Sequence, residues 1–490
     1  RPAIALNPGY AEAHNNLGNV LANQGRLSDA AASYRAAIAI SPELAEAHNN
    51  LGTALKDMGR LDEALVHCNR ALAIDPDAAE AHSNMLLTAL YEPAQTAQSL
   101  YDLHRQWDIR HGQRPAATSA PAAARARDPA RPLRIGYLSP DLRRHSVSCF
   151  LEPVLANHDR QAFTIYCYSN SLQADEVTAR LRAHADNWRS VAGLADAAAA
   201  RLIGDDEIDI LVDLSGHTMA NRLPLFSLKP APVQVTWLGY PATTGLAAMD
   251  YRLTDALADP AGADDAWHAE KLLRLEGGFL CYQPPADAPE IGPAPGLKNG
   301  YVTFGSCNNL AKITAPTVAA WAQILDGVPT SKLLIKAKAL EDAGVRDDLT
   351  ARFTALGITA DRLELLPWIS GASPLSVYNA IDIALDTFPY TGTTTICETH
   401  WMGVPTLTLS GDRHAARVGH SLNARVGLED WVSRSIDGYV ARAVRAAAEP
   451  DLLTTLRREL RARMAEGPLC NGAAFTRRLE AAYREMVAGG

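Results

Sequence analysis

A chain of 490 residues exceeds what one hydrophobic core organises, so its 47% apolar content divides among two to four domains. With 21% charged residues and a net charge of −9, it lacks the basic balance of a nucleic-acid binder, and no apolar run reaches the length of a bilayer span. Seven scattered cysteines (Cys68, Cys149, Cys167, Cys281, Cys307, Cys397 and Cys470) form no C-x-x-C pair, and the start shows no signal peptide. Reduced thiols and a cytoplasmic setting are therefore expected.

The first third repeats itself. Asn7-Pro8, Ser41-Pro42 and Asp75-Pro76 recur at 34-residue intervals, each followed in phase by Ala-Glu-Ala-His ending at His14, His48 and His82. Leu17-Gly18 with Leu51-Gly52, and Gly25-Arg26-Leu27 with Gly59-Arg60-Leu61, keep the same period. The pattern resembles tetratricopeptide repeats, whose paired helices stack into a superhelix with a concave peptide-binding face. Repeats are complete over 7–40 and 41–74, a degenerate one covers 75–108, and the repeat domain is read as 1–112. The start at Arg1, inside a helix end, implies further repeats before it. Asn16, Asn50 and Asn84 recur in phase beside apolar leucines. They are candidates to bond an extended peptide along the groove, the alternative being that they bridge neighbouring helices. The in-phase histidines fall in different layers, so packing suits them better than a metal.

Residues 113–132, rich in Ala, Pro and Arg, read as a linker. Strand and helix signals then alternate over 133–293, with strands near Arg134–Ser139, Thr164–Ser169, Ile208–Leu214, Val233–Trp237 and Tyr251–Leu253. A Gly/Pro-rich break follows. The alternation resumes over 300–490, with strands near Tyr301–Ser306, Lys332–Lys336, Leu363–Leu366, Ile381–Leu385 and Thr406–Leu409, and a closing helix near Asn471–Val487. This predicts two doubly wound, mostly parallel sheets, with ligands in a cleft at their strand ends.

Polar clusters fall where that rule puts them. Ser139-Pro-Asp-Leu-Arg-Arg-His145 follows the first strand, Asp213-Leu-Ser-Gly-His217 ends the third, and Trp237-Leu-Gly-Tyr-Pro241 follows the fourth. In the second half come Ser306-Cys-Asn-Asn-Leu-Ala-Lys312 and Asp386-Thr-Phe-Pro-Tyr-Thr-Gly-Thr-Thr-Thr-Ile-Cys-Glu398. In the last, a tight turn and three threonines lead into a helix start whose free N–H groups suit a phosphate. Equally, Thr393 there could be an ordinary helix cap.

Together these motifs resemble the family 41 glycosyltransferases, the O-GlcNAc transferases and SPINDLY-like proteins, over essentially the whole chain. The resemblance implies a GT-B fold: an α-helical repeat superhelix followed by two Rossmann-like α/β domains, the second binding the nucleotide. It implies inverting, metal-independent transfer of a sugar, GlcNAc from UDP-GlcNAc in the first place, to Ser or Thr of proteins presented by the repeats. No cofactor beyond the nucleotide-sugar co-substrate is implied. The chain's own residues agree on the metal: its one Asp-x-Asp, Asp75-Pro-Asp77, lies inside the repeats.

In this scheme fixed donors stabilise charge on the leaving diphosphate. Lys312 is the candidate cation, since a helix-start lysine with only a solvation role would be repelled by the dipole. Asn309, Gly392, Thr393, Thr394 and Thr395 join it at the nucleotide sugar. His145, with an ordinary pKa near 6.5, is the acceptor-side base or orienter. Asp206 and Asp209 are weaker base candidates. His217 is expected near the sugar or diphosphate, Leu238, Gly239 and Pro241 around the sugar, and Glu398 at the ribose. The loop Ile369–Ser376 would hold the nucleobase. Thr393 stands where the animal enzymes carry histidine, Glu398 where they carry aspartate, and that loop lacks their lysine and histidine. The donor thus stays open between UDP-GlcNAc and the GDP-fucose of SPINDLY-like enzymes. The Ala- and Arg-rich bias suggests a bacterial source. Two other readings remain: a repeat scaffold whose second half only binds nucleotide or peptide, and a hydrolytic nucleotide-sugar epimerase on the same fold.

Overall fold

The computed structural model describes residue 4 and residues 6–112, 131–368 and 373–489. Most of the expected linker, most of Arg1–Leu6 and residues 369–372 of the expected base loop lie outside the described residues. The chain forms two compact units, Arg1–Gln95 with Pro285–Arg463, and Thr96–Pro284 with Met464–Gly490.

The first unit opens with the repeats. Helices α1 (Ala11–Asn23), α2 (Leu27–Ile40), α3 (Ala45–Asp57), α4 (Leu61–Ile74) and α5 (Ala79–Tyr91) follow the 34-residue period. Gly25 and Gly59 turn the chain at φ +76° and +77°, a conformation that favours glycine. The in-phase Gly18 and Gly52 let helices meet closely: an added Cβ would fall 2.4 Å from Tyr34 and 2.6 Å from Cys68. His14 and His48 both reach the carbonyl of the proline that opens their repeat, Pro8 and Pro42, at 3.1 Å, a packing role. Asn50 and Asn84 take the bridging alternative. Asn50 Nδ2 donates to Asn15 and Asn19 at 3.0 and 3.1 Å, and Asn84 Nδ2 to Asn49 at 3.1 Å, while Asn16 is exposed.

Helix α6 (Ala97–His111) completes the third repeat in sequence yet belongs to the second unit. Its Leu100, His104 and Trp107 are buried, His104 lies 2.7 Å from the Tyr240 hydroxyl, and Arg105 donates to the Gly245 carbonyl. An apolar and histidine face turned to the sheet decides its place.

The sheet of that unit comprises β1 (Leu133–Ser139), β2 (Phe163–Ser169), β3 (Asn187–Ser190), β4 (Ile210–Asp213), β5 (Val233–Thr236), β6 (Tyr251–Thr254) and β7 (Lys271–Arg274). Helices α7 (Ser146–Asn157), α8 (Glu176–Ala183), α9 (Asp196–Asp205) and α10 (Leu223–Ser227) connect them. All pairings are parallel, in the order β3-β2-β1-β4-β5-β6-β7. The order reverses between β1 and β4, so their carboxyl ends open a crevice.

The second sheet, in the first unit, comprises β8 (Thr303–Ser306), β9 (Lys332–Lys336), β10 (Leu363–Leu366), β11 (Ile383–Leu385), β12 (Thr406–Leu409) and β13 (Val432–Ser433). It too is parallel, ordered β10-β9-β8-β11-β12-β13, with its reversal between β8 and β11. Around it run α11 (Pro295–Asn299), α12 (Ala315–Gly327), α13 (Ala343–Thr354), α14 (Thr394–Trp401), α15 (Val418–Ala424), α16 (Ile436–Ala447) and α17 (Pro450–Glu466). The repeats pack on this unit's own loops: Ser28 bonds Asp342 through its N–H and hydroxyl, at 2.9 and 2.7 Å.

The last helix, α18 (Gly472–Ala488), lies in the unit of the first sheet, although the sequence reading placed all of 300–490 together. A buried network explains the assignment. Glu480 accepts from the Asp159 N–H and pairs with His158 at 3.0 Å, and Tyr483 meets Tyr137 at 3.1 Å. Phe475 stacks on Trp237 at 5.9 Å.

Candidate active site

Each sheet braces the loop at its reversal with one buried aspartate. Asp386, just past β11, accepts from the N–H groups of Thr387 and Gly392 at 2.9 and 2.7 Å and from the Thr408 hydroxyl of β12 at 2.7 Å. Asp213, ending β4, accepts from the N–H groups of Ser215 and Gly216 and the Thr236 hydroxyl of β5, at 3.0, 2.9 and 3.0 Å. Burial raises both carboxyls to about 6, against the pull of these donors.

In the first unit that brace shapes the Thr387–Gly392 turn. Thr391 is tied twice to the Ala415 carbonyl at 2.9 Å, and Thr314 and Thr317 both donate to the Phe388 carbonyl. Gly392 has no room for a side chain, since a Cβ would fall 2.4 Å from the Thr395 hydroxyl. The turn delivers the chain into α14 without a side-chain cap. Thr393 occupies the cap position, but its hydroxyl makes no capping bond. The cap alternative is thereby overturned, and the first-turn donors of a partly exposed helix end stay available to an anion. Thr395 donates to Asn308 at 3.0 Å.

Lys312 closes the same site from the β8 side. It ends a single 3-10 turn, Leu310–Lys312, capped by the Asn309 side chain, which accepts from the Ala311 N–H at 3.0 Å. Its ammonium donates to the Thr391 carbonyl at 2.8 Å and stands 3.9 Å above the Tyr390 ring. Half-buried, it is no solvated helix-start lysine. Burial lowers its pKa from 10.5 to about 8, with the Asp386 carboxylate opposing that fall. Glu398 accepts from the Tyr378 hydroxyl at 2.8 Å, and its carboxyl is raised by burial. A cavity of about 290 Å³ adjoins, lined by Asn308, Asn309, Lys336, Lys338, Trp368 and, from the repeats, Asp57. Trp368 is 53% exposed beneath the Lys336 ammonium.

His400, also on α14, is fully buried, and burial lowers its pKa to about 3. It is neutral in the fold, whereas an unfolded histidine takes up a proton near pH 6.5. Stability from this group is therefore complete above pH 6.5 and lost as pH falls below it. Compared with His400→Leu, the wild type should lose about 1.4 kcal/mol of relative stability per pH unit between pH 6.5 and 4. Urea melts of both proteins at several pH values give that difference, and a constant difference would contradict it.

In the second unit the residues part company. His145 is the N-cap of α7, with Nδ1 accepting from the Val147 N–H at 3.3 Å and 3.7 Å from Asp141. Its ring is 43% exposed. Burial of the remainder lowers its pKa, opposed by Asp141. With Nδ1 accepting, the neutral ring carries its proton on Nε2 and offers a donor there. His217 is not open to any ligand: it is 0% exposed, bonds the Thr244 carbonyl at 2.8 Å, and packs among Trp107, His104 and Tyr240. This corrects its expected place at the sugar or diphosphate; the apolar face of α6 covers it. Asp206 and Asp209 are likewise committed, the first to Arg189 and Tyr168, the second to both terminal nitrogens of Arg131.

The stretch after β5 is strained. Leu238 has φ +68°, and the Gly239 N–H reaches back to the Trp237 carbonyl at 2.9 Å. That is a γ-turn of the rare positive-φ kind, costing about 1–3 kcal/mol, and such strain gathers at working sites. Leu238 and Gly239 are partly exposed while Pro241 is buried. The sequence reading included Asp386, Tyr390 and Thr391 in its strand-end stretch without giving them roles, and it passed over Trp368 and Asp57, the last because no local signal ties a repeat helix to a strand end.

Glycosyl transferase family 41 matches residues 118–282 and 294–479, and TPR repeat and tetratricopeptide repeat families match residues 18–59 and 45–78. The probable UDP-N-acetylglucosamine–peptide N-acetylglucosaminyltransferase SPINDLY of Solanum lycopersicum is 45% identical over 407 residues, 82% of this chain and 43% of its own length. The probable transferase SEC of Arabidopsis thaliana is 30% identical over 72% of this chain and 37% of its own. The chain thus spans less than half the length of these curated relatives. A solved structure of a Thermobaculum terrenum O-GlcNAc transferase mutant superposes with a TM-score of 0.92 at 38% identity, covering 99% of this chain and 92% of that one. With repeats, two parallel sheets and both braced loops in place, the chain belongs to glycosyl transferase family 41.

Proposed function

We propose that the protein is an inverting, metal-independent glycosyltransferase that moves a sugar from a nucleoside diphosphate to Ser or Thr hydroxyls of proteins. The acceptor oxygen bonds to the anomeric carbon as the carbon–phosphate oxygen bond breaks. The bonding pair leaves with the diphosphate, and the hydroxyl proton passes to a departing diphosphate oxygen or to water. The observation that carries this reading is the uncapped start of α14 facing a half-buried lysine held by Thr391 and Tyr390. Preformed donors of this kind stabilise charge that develops on a leaving diphosphate. Thr393, Thr394, Thr395 and Lys312 take the phosphates, Glu398 the ribose, and the cavity beside Trp368 and Lys336 the nucleobase. Within the second unit, His145 and the Leu238 turn are the acceptor-side candidates. His145, protonated on Nε2, orients an oxygen by donating to it rather than removing a proton.

We favour UDP-GlcNAc as donor, in line with what the relatives are called. GDP-fucose remains the second reading, since Glu398 is already engaged by Tyr378 rather than free for the ribose. Acceptor proteins lie along the repeats. The bridges fix the Asn50 and Asn84 amides and leave their carbonyl oxygens as further acceptors for a peptide N–H. A cytoplasmic setting suits cysteines that form no disulfide, four of them buried. Among the described residues, no helix is long and apolar enough to cross a membrane.

Incubation with radiolabelled UDP-GlcNAc or GDP-fucose and a peptide mixture tests the reading. Label should pass to peptide hydroxyls from one donor. Donor turnover that needs no peptide would point to the epimerase, and binding without turnover of either donor would leave only the scaffold.

A further inference from the structure

Lys312 is held by more than its own loop. The Tyr390 ring beneath its ammonium is stacked on its other side against Tyr91, the last residue of α5, at 5.0 Å between centroids and 14° between planes. Tyr91 is 7% exposed and shares a small apolar cluster with Leu61 of the repeats and Ala311, the residue before the lysine. Arg413 fastens the chain just beyond Tyr91, donating to the carbonyls of Glu92 and Gln95. A repeat helix, a turn tyrosine and the lysine thus form one continuous pile inside a single unit. The ring face attracts a cation, and a ring fixed by a stacked neighbour holds that cation in one place. At 3.9 Å the Tyr390 ring also takes the place of water on one side of the ammonium.

We propose that Tyr91 is a positioning residue for Lys312, acting through the Tyr390 ring, so that the last helix of the repeats sets where the diphosphate-binding cation stands. This rests on the reading of Lys312 as the group that receives the donor's diphosphate. Besides the two tyrosines, the charged groups near the pile include Asp386 beside the lysine, Asp57 of α3 with its partner Lys56 beside Tyr91, and Glu92 and Arg413 just beyond it; none of them changes in the variants below.

The test uses the full chain with Tyr91→Phe, Tyr91→Leu and Tyr390→Leu. UDP and GDP binding are followed by calorimetry from pH 6.5 to 9.5, and transfer from the active donor gives kcat/KM. Phenylalanine keeps the stacked face, so Tyr91→Phe should match the wild type in both. Leucine fills the apolar site without a ring face. Tyr91→Leu should lower kcat/KM at least fivefold at pH 7.5 and, by admitting water, move the alkaline loss of nucleotide binding upward by about half a pH unit or more. Tyr390→Leu should lower kcat/KM at least as far. A simple packing defect would lower the melting temperature without moving the alkaline midpoint. A folded Tyr91→Leu with wild-type kcat/KM and midpoint overturns the proposal. Should that variant not fold, a Tyr390→Leu protein with unchanged kcat/KM does so instead. If Lys312→Met keeps full turnover, the diphosphate reading itself fails. If Lys312→Met is inactive while the leucine variants behave as wild type, only the bridge fails.

Discussion

Replacement of Lys312 by methionine is expected to lower kcat about 10²- to 10³-fold while leaving the fold intact. Methionine keeps the stem over the Tyr390 ring but removes the charge and the donors. Loss of one preformed donor at a developing oxyanion costs about 2.7–4 kcal/mol of barrier. Asp386 stays braced by Thr387, Gly392 and Thr408, so the turn should hold and the melting temperature shift little. The pH profile gives a second check. Lys312 is protonated below its pKa of about 8 and loses its charge above it. The wild-type kcat/KM, which reports the free enzyme, should therefore fall as pH rises through that value. In Lys312→Met the residual activity should lack this alkaline limb. A single-turnover assay with saturating donor separates the chemical step from binding, and unchanged single-turnover rates would remove Lys312 from the mechanism.

The second large effect is expected at Gly239. A Cβ there would lie 2.0 Å from the Leu214 carbonyl oxygen and 2.8 Å from the Ser215 Cα, both backbone atoms that no rotamer can clear. Gly239→Ala must displace either the γ-turn at Leu238 or the Asp213-braced loop. About 3 kcal/mol of stability should be lost, at the upper end for overpacking, and kcat/KM should fall more than tenfold where the protein is still folded. Gly204→Ala is the matched control. It lies in α9 with nothing within 4 Å of the added Cβ, so it should gain about 0.5–1 kcal/mol. Denaturant melts of the two variants should move in opposite directions; a Gly239→Ala protein as stable as Gly204→Ala would contradict the packing argument.

What the sequence disclosed, and what it hid, follows from the range of the interactions involved. The repeat period, and the buried strands from β1 to β12, were legible because each is a local pattern: a 34-residue echo, or an apolar run flanked by turn residues. Lys332–Lys336, Leu363–Leu366 and Thr406–Leu409 are strands over the residues expected. Of the four edge strands only Leu363–Leu366 was read; Asn187–Ser190 is polar and half-exposed, Lys271–Arg274 carries charge at both ends, and Val432–Ser433 is two residues long. Helix α16 did have a strong amphipathic stripe and went unread. At the site, Lys312 bonds the Thr391 carbonyl in the turn that leads into α14. His217 is closed off instead, because its fate was fixed by Trp107, more than a hundred residues earlier. Asp206 and Asp209 were taken by arginines that no spacing rule could pair with them.

The interleaving of the two units bears on how the chain is made. Ser28 waits for Asp342, 314 residues further on, and Tyr91 waits for Tyr390. On the ribosome the repeat helices emerge first, but the faces they bury in their own unit find partners only once the second sheet has been synthesised. Meanwhile the first sheet appears and must wait in turn for α18. Contacts this distant slow folding and leave apolar surfaces uncovered during synthesis. Truncation at any point between the two sheets would thus release an α5 surface with nothing to cover it.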